Sequence, residues 1–458
     1  MSSESTPSST PFKPLTAARD GSNFTYESLH NRVPHILTDV INDFYASIQK
    51  STSPAAISEG KALTSQLSQL KHEMVTDKVL TPLDDDRVGD IDVWNHWLGL
   101  YFPTATWYTT PFLTWETYLY RRIASIFKRS EHWSRHDFFA MKKEATFKAS
   151  MVAVAKLCSR VDALTRDSLA DSENKTKMHL AFVEMLQASL WGNQTDLSMF
   201  PDLNSEALEE MQARISSGEN NSKIVANDTD RIWKIVSQLQ GGGRIDVVLD
   251  NSGFELLQDV LLAHWLVSLG YAQKVVFHSK RIPWYVSDVT NEDFFWLVRA
   301  AQTPSLIGTK GMATEDEAAL VGLGNQWSQF LADGTWEVKD ELFWTGPYGF
   351  RYLPTEGKDV WDNELIKADL VIFKGDLNYR KLIYDLEWPI STPFVDALGD
   401  IATDPRAPAI VALRTSKCDT ITGVDPDRAK ELFAKQKDWM YSGQYGVIQL
   451  SPGRWQGV

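Results

Sequence analysis

The hydrophobic pattern of the chain changes at three consecutive glycines, residues 241–243. Beyond them, short runs rich in β-branched residues alternate with segments whose apolar residues recur every three or four positions, as in a helix. The runs predicted as strands are 245–249, 274–278, 370–374, 410–413 and 447–450. The segments predicted as helices are 254–268, 291–301, 362–368, 379–385 and 427–436. This alternation predicts an α/β fold, specifically a Rossmann-like α/β/α sandwich with a mostly parallel sheet.

The part of the chain before the glycines has a mainly helical period. We therefore predict a helical N-terminal lobe over residues 23–240 and an α/β/α catalytic domain over residues 241–458. Residues 1–22, which begin with a Ser/Thr/Pro-rich stretch, predict a flexible tail. The polar stretch 217–230 predicts an exposed linker, and the less regular region 302–345 predicts a helical insertion.

Composition excludes some classes of protein. The 458 residues carry a formal charge of −14, with an isoelectric point of about 5.2. Nucleic-acid binding is disfavoured, because proteins that bind polyanions carry basic surfaces. No run approaches the ~18 apolar residues of a membrane span, and no secretory signal is visible. The two cysteines are far apart, which favours a reducing compartment, so we expect a cytoplasmic location, with nuclear presence and oligomeric state left open.

An acidic pair follows the first predicted strand. Asp250 and Asn251 lie at its carboxyl end, where ligands collect in open α/β sheets. A carboxylate and an amide oxygen suit a hard divalent cation. Asp288 follows the second strand among aromatic and apolar residues, where a carboxylate needs a partner. The three oxygen ligands would leave positions for water and substrate, which is typical of a catalytic metal site.

Two later strand ends carry cations. The residues are Lys374 and Arg380 after the third strand, and Arg414 and Lys417 after the fourth. Because the carboxyl ends of parallel strands share one edge of a sheet, we expect these cations to face the acids. Metal ligands opposite cations are suited to binding a phosphate group.

Each of these residues also has a plain structural interpretation. Asp250, Asn251 and Asp288 are residue types that cap helices and form turns, and the cations are residue types of exposed loops. His132 and His136 are four positions apart, but no third metal ligand accompanies them. The convergence of several strand ends, more than any one residue, favours a functional site.

The motifs together resemble the metal-dependent damage-control phosphatase family. Three segments carry the resemblance: Asp250-Asn251-Ser252-Gly253-Phe254-Glu255, Lys374-Gly375-Asp376-Leu377-Asn378-Tyr379-Arg380 and Arg414-Thr415-Ser416-Lys417. The last, an Arg-Thr-x-Lys motif, resembles the eukaryotic sugar-phosphate branch, which is acidic residue methyltransferase-like. Segments 102–107, 118–122 and 191–198 are also similar to that branch, so the resemblance runs from about residue 20 to the end.

The resemblance implies a helical lobe joined to an α/β/α domain, and a phosphatase that depends on Mn, Co, Ni or Mg. It implies reactive sugar phosphates as substrates, such as fructose 1-phosphate and fructose 6-phosphate. By the same resemblance, the metal ligands are Asp250, Asn251 and Asp288. Substrate-binding residues are expected to be Asp250, Asn251, Glu255, Lys374, Asp376, Leu377, Asn378, Tyr379, Arg380, Arg414 and Lys417.

Two other functions stay open at this point. One is a protein-glutamate methyltransferase that uses S-adenosylmethionine, since the same branch has been described in this way. Such enzymes usually have a Gly-rich turn after the first strand, whereas this chain has Asp-Asn-Ser-Gly there. The other is a sugar-phosphate binding protein that has the same cations but no turnover.

Overall fold

The computed structural model describes residues 13–17, 23–192 and 220–458. Most of the predicted tail, and residues 193–198 of the resembling segment 191–198, lie outside the described residues. Residues 13–17, within the predicted tail, contact the body of the protein, and the tail itself stays a prediction. Pro14 forms a β-bridge with Leu386, and the N–H of Leu15 donates to the carbonyl of Asp385 at 3.0 Å. Leu15 is buried, which gives this short segment an apolar anchor on the body of the protein.

The N-terminal half is helical, as predicted. Its helices are α1 Phe24–Glu27, α2 Val33–Lys50, α3 Pro54–Val75, α4 Ile91–Tyr101, α5 Phe112–Lys128, α6 Ala140–Ala149, α7 Met151–Ala170 and α8 Lys175–Leu190. Helix α5 is buried on nearly every side, because apolar and aromatic residues occupy most of its positions. Its buried Arg121 is neutralised by Asp86 and Asp90.

The C-terminal half contains a seven-stranded sheet among the described residues. Its strands are β1 Ile224–Asn227, β2 Arg244–Val248, β3 Lys274–His278, β4 Trp336–Lys339, β5 Leu370–Lys374, β6 Ala409–Thr415 and β7 Gly446–Ser451. The strand order is β1-β7-β6-β5-β2-β3-β4. From β6 to β4 all neighbours are parallel, whereas β7 is antiparallel to β6 and parallel to β1. The prediction of a mostly parallel sheet in an α/β fold is confirmed.

Two strands were missed by the sequence pattern. Strand β1 lies within the stretch predicted as an exposed linker, and β4 lies within the region predicted as a helical insertion. Both have only four residues and form the two edges of the sheet, with partly exposed side chains. So short a segment cannot show a clear alternation of apolar and polar residues.

The helices of the C-terminal half largely follow the prediction. They are α9 Thr229–Val236, α10 Phe254–Ser268, α11 Asn291–Gln302, α12 Thr314–Ala332, α13 Lys358–Asn363, α14 Gly375–Leu382, α15 Phe394–Leu398, α16 Asp400–Thr403 and α17 Pro426–Lys435. Two predicted helices differ from the structure. The helix predicted over 362–368 is observed as α13, which ends at Asn363 and is followed by a 3-10 turn at Leu365–Lys367. The helix predicted over 379–385 is observed as α14, which begins at Gly375. Its first turn therefore lies directly at the end of β5. No helix in the described part of the chain is long and apolar enough to cross a bilayer.

The core consists of three clusters of buried side chains. Helices α7, α8 and α10 pack on one face of the sheet, and the segments around α13 to α17 pack on the other. Helices α2 to α5 enclose the third cluster, which we call the lobe core. Helices from both sides of residue 240 thus cover the sheet, and the proposed domain boundary at that residue stays a prediction.

Candidate active site at the carboxyl ends of the strands

Asp250 and Asn251 lie in the turn between β2 and α10. Gly253, with a φ of +73°, allows the tight turn into α10, since L side chains rarely adopt this conformation. The amide Nδ2 of Asn251 donates to Asp250 Oδ2 at 2.7 Å and to Glu255 Oε2 at 2.8 Å. Glu255, in the first turn of α10, therefore joins the pair, and its carboxylate is also buried.

The loop after β3 brings Asp288 to the same place. Asn251 and Asp288 form a β-bridge, and the N–H of Val289 donates to the carbonyl of Asp250 at 2.8 Å. The hydroxyl of Ser287 donates to Asn251 Oδ1. The structure thus places all three expected metal ligands next to one another.

The carboxylates of Asp250, Glu255 and Asp288 repel one another. Burial raises the pKa of Asp250 well above its usual value, and the charges of Glu255 and Asp288 raise it further. Burial also raises the pKa of Asp288 to about 6, opposed by Lys280 and increased by Glu255. Asp288 Oδ2 has no hydrogen-bond partner among the described residues, although Lys280 Nζ lies 3.4 Å away. Burial and like charge together make the ionised forms of these acids unfavourable.

These residues fit a divalent cation by their chemistry. A cation would relieve the repulsion among the buried acids and would give Asp288 Oδ2 a partner. Asn251 now directs its NH₂ group to the acids, so a half-turn of the amide is needed to present its oxygen. Within the described residues, no three His, Cys, Asp or Glu side chains are already arranged as a metal cluster.

Lys280 is a site residue that the sequence analysis missed. It is buried just after β3, and its Nζ donates to the carbonyl of Leu249 at 2.7 Å while pairing with Asp288. It therefore ties the end of β2 to an expected metal ligand. The signal that could have found it is the one used for the other cations, namely a position directly after a predicted strand.

The first turn of α14 lies against Asp250. Gly375 has a φ of +81°, and a β-carbon there would fall 1.8 Å from Asp250 Oδ2. Only glycine allows this approach. Among the described residues no side-chain capping bond is seen at the start of α14, so the N–H groups of its first turn can bind an anion beside the acids.

Lys374 is internal to the protein. Its ammonium pairs with Asp259 at 2.8 Å and with Glu255 at 3.7 Å, and donates to the hydroxyl of Ser189 at 2.7 Å. Only 1% of its side chain is exposed. The group thus joins β5, α10 and α8, and its expected contact with phosphate stays a prediction.

The guanidinium groups of Arg380 and Arg414 are also engaged in contacts within the protein. Arg380 forms two hydrogen bonds with Asp385, pairs with Glu116 at 2.8 Å, and lies over the ring of Phe112. Arg414 is fully buried and bonds Asp376 at 2.7 Å, while its remaining groups donate to the carbonyls of residues 418 and 420. Both guanidinium groups hold segments of the chain together.

Other residues expected to bind substrate also make their contacts within the protein. Asn378 donates to the carbonyls of residues 249 and 374, and Tyr379 donates to Gln449 at 2.9 Å. Leu377 packs in the lobe core. Burial raises the pKa of Asp376, but Arg414 and Arg380 lower it below the usual value, so this carboxylate is ionised.

Lys417 differs from the other cations because its side chain is exposed. Burial raises the pKa of Asp250, and the charge of Lys417 is one of the contributions that lower it. The backbone N–H of Lys417 donates to Asp376 Oδ1 at 2.9 Å, and this bond fixes the residue beside α14. No ion pair within the described part of the chain uses its ammonium.

Buried acids beside a free helix N-terminus, at the carboxyl edge of a mostly parallel sheet, are the arrangement of an α/β enzyme that handles anions. Known proteins identify the enzyme class. The family "Damage-control phosphatase ARMT1-like domain" matches residues 28–432. The chain therefore belongs to this family, and it is a phosphatase.

Named relatives match over nearly the whole chain. The protein "Damage-control phosphatase ARMT1" of Xenopus tropicalis is 35% identical, over 95% of this chain and 98% of the relative. The mouse protein of the same name is 35% identical, over 95% and 97% respectively. A crystal structure of a DUF89 family protein from Pyrococcus horikoshii shares 14% identity, covers 91% of this chain and 98% of that one, and has a TM-score of 0.40.

Proposed function

We propose that the protein is a divalent-metal-dependent phosphatase that hydrolyses phosphomonoesters of reactive sugar phosphates, such as fructose 1-phosphate and fructose 6-phosphate. The observation that carries the proposal is the contact between the first turn of α14 and Asp250. It puts a free helix N-terminus, which attracts phosphate, directly beside acids that attract a cation. A phosphate group and a metal ion would therefore meet at this point.

Asp250, Asp288 and the amide oxygen of Asn251 would hold the metal. When bound, a Mn, Co, Ni or Mg ion would supply positive charge to the phosphate oxygens. The raised pKa values of Asp250 and Asp288 support this assignment, because burial, and after it the charge of neighbouring acids, makes their ionised forms unfavourable without a cation. Glu255 lies within the same hydrogen-bonded group through Asn251, so it is positioned to act on a nearby water.

The remaining phosphate charge would be met by two elements. The N–H groups of the first turn of α14 would donate to phosphate oxygens, aided by the positive end of the helix dipole. Lys417 would supply an exposed cation. Asp376 does not oppose this binding, because its carboxylate is directed to Arg414 and to the N–H of Lys417.

Hydrolysis needs one water molecule. Its oxygen forms a bond to phosphorus, and the bond between phosphorus and the sugar oxygen breaks. One of the acids Asp250, Glu255 and Asp288 takes a proton from the water, and a proton is returned to the sugar oxygen as it leaves. Because phosphoryl transfer depends mainly on positioning and on charge stabilisation, α14 and Lys417 contribute as much as the acids.

The test is a panel of phosphorylated metabolites given to chelated protein, with Mn, Co, Ni or Mg restored one at a time. We expect phosphate release from fructose phosphates only when metal is present. Release that is equal in a chelator would contradict metal dependence, and tight binding without turnover would favour a binding protein. Methyl transfer from labelled S-adenosylmethionine by an Asp250→Ala variant would indicate a separate activity.

A further inference from the structure

The lobe core reaches the candidate site. Besides residues of α2 to α5, it contains a side chain from each of three segments that follow strands. These are Trp284 after β3, Leu377 after β5 and Cys418 after β6, all with under 5% exposure. Packing of the lobe is therefore continuous with the segments that position the acids and Lys417.

The segment after β3 has an unfavourable backbone. Tyr285 has a φ of +41° and Val286 has a φ of +71°. Residues with side chains rarely adopt positive φ, and a β-branched residue such as Val286 is a clear outlier there. Such a conformation persists only when the surrounding structure holds it. The next two residues are Ser287 and Asp288, which contact Asn251 and complete the acidic site.

Tyr120 of α5 packs on this segment through its ring. Its ring stacks on the ring of Tyr285, with centroids 4.5 Å apart and planes at 29°. It also lies 6.0 Å from the ring of Trp284. Tyr120 is buried, whereas Tyr285 is half-buried at the edge of the lobe. The contact joins a buried helix to the strained backbone two to three residues before Asp288.

We propose that Tyr120 is a positioning residue, which holds the strained segment in the conformation that presents Asp288 to a divalent cation. The helical lobe then determines how tightly the site binds metal, although α5 supplies none of the expected ligands. This inference rests on the proposed metal site. Loss of the stacked pair would let the segment relax to negative φ, and Asp288 would leave its place beside Asn251.

The test is Mn²⁺ binding to chelated, full-length protein, measured by titration calorimetry and by metal-induced thermal shift. Tyr120→Leu removes the stacked ring. Tyr118→Leu is a matched control, because Tyr118 is equally buried on α5 but bonds to Thr81, away from the strained segment. We expect Tyr120→Leu to raise the Kd for Mn²⁺ about tenfold, in line with the energy of an aromatic pair. Tyr118→Leu should lower stability and leave the Kd unchanged.

A conservative variant separates the ring from the hydroxyl. Tyr120→Phe keeps the stack and should bind Mn²⁺ like the wild type. A wild-type Kd in Tyr120→Leu would overturn the role of Tyr120, whereas no Mn²⁺ binding by the wild type would overturn the metal site itself. If Tyr120→Leu does not fold, Tyr285→Ala removes the other ring and keeps a side chain at the same positive φ. Tyr285→Ala must then raise the Kd, and a wild-type value would contradict the proposal.

Discussion

The backbone of Gly375 lies directly against the carboxylate of Asp250. A β-carbon at Gly375 would fall 1.8 Å from Asp250 Oδ2 and 2.1 Å from its carboxyl carbon. Two strand ends that are more than a hundred residues apart in sequence are thus joined by the contact of a backbone with a carboxylate. This contact joins the acids to the free N-terminus of α14 and defines the centre of the site.

Gly375→Ala should displace Asp250. A shift of about 1 Å in a catalytic group costs roughly a hundredfold in rate, so we expect kcat/KM to fall by about that factor or more. The positive φ of Gly375 adds about 1 kcal/mol of backbone strain. The measurement is steady-state hydrolysis of fructose 1-phosphate with saturating metal, together with a denaturant melt.

Gly322→Ala is the control for this variant. Gly322 lies within α12, and a β-carbon there would meet nothing within 4 Å. Alanine in a helix with open space should stabilise the protein by about 0.4–1 kcal/mol and leave kinetics unchanged. An active Gly375→Ala enzyme would contradict the placement of Asp250 at the reaction centre.

Lys417→Ala should weaken substrate binding. If the exposed ammonium bonds a phosphate oxygen, its loss costs about 1.5–3 kcal/mol, and KM should rise roughly 10- to 100-fold. The melting temperature should stay the same, because the side chain is exposed. Lys61→Ala, at an exposed position of α3, is the matched control and should change neither quantity. A normal KM for Lys417→Ala would remove this residue from the site.

Lys374→Ala should lower the stability of the protein, whereas Lys417→Ala should weaken substrate binding. Its ammonium is buried with Asp259 and Glu255, and removing one partner of a buried pair typically costs about 3–5 kcal/mol. We expect the denaturant midpoint to fall sharply before any specific effect on KM is seen. A stable Lys374→Ala protein with a raised KM would show that Lys374 binds substrate directly.

Arg380→Ala should lower the stability of the protein, because Arg380 links Glu116 of the lobe to the α/β part. The substitution would leave the buried carboxylate of Asp385 without its ion-pair partner and Glu116 with Arg32 alone, at a cost of about 3–5 kcal/mol. Arg406→Ala removes two exposed ion pairs and should leave the melting temperature nearly unchanged. Comparable melts for the two variants would contradict a structural role for Arg380.

His278 should make stability depend on pH. Burial alone would lower its pKa, but hydrogen bonds and charges from Asp246 and Glu341 raise it to about 9. A raised pKa means that the stabilisation is complete below about 6.5 and is lost as pH rises through about 9. The difference corresponds to about 3 kcal/mol.

The measurement is the free energy of unfolding of wild type and His278→Gln between pH 6 and 9.5. Burial lowers the pKa of Lys381 to about 7, so Lys381 makes stability rise with pH and partly masks the effect in the wild type. The difference between the two proteins isolates His278, and it should shrink as pH rises. A constant difference would contradict a charged imidazole in the fold.

Sequence pattern predicted much of the fold because buried parallel strands have strong local signals. Strands β3 and β5 were predicted at their observed bounds, since each contains an uninterrupted run of apolar residues, 275–277 in β3 and 370–373 in β5. The edge strands β1 and β4 were missed because four half-exposed residues carry little period. The start of α14 at Gly375 was missed, because glycine has a low helix propensity. The close contact of the Gly375 backbone with Asp250 explains why a glycine occupies this position.

Within the site, the sequence predicted which residues lie close together better than it predicted what each side chain contacts. The acids Asp250 and Asp288 meet because strand ends converge, a rule that sequence can use. Burial of Lys374 and Arg380 depends on partners from distant helices, such as Asp259 and Glu116. No local pattern links these pairs, so an exposed cation and an internal ion pair look the same in sequence.

We propose that Asp250 holds a metal with which a phosphate ester is hydrolysed. The most direct test follows phosphate release from fructose 1-phosphate by chelated wild type and Asp250→Asn as Mn²⁺ is added, with folding checked by circular dichroism. We predict that release by the wild type begins with added metal, and that folded Asp250→Asn gives none at any Mn²⁺ concentration. Equal release by the two proteins would contradict the account.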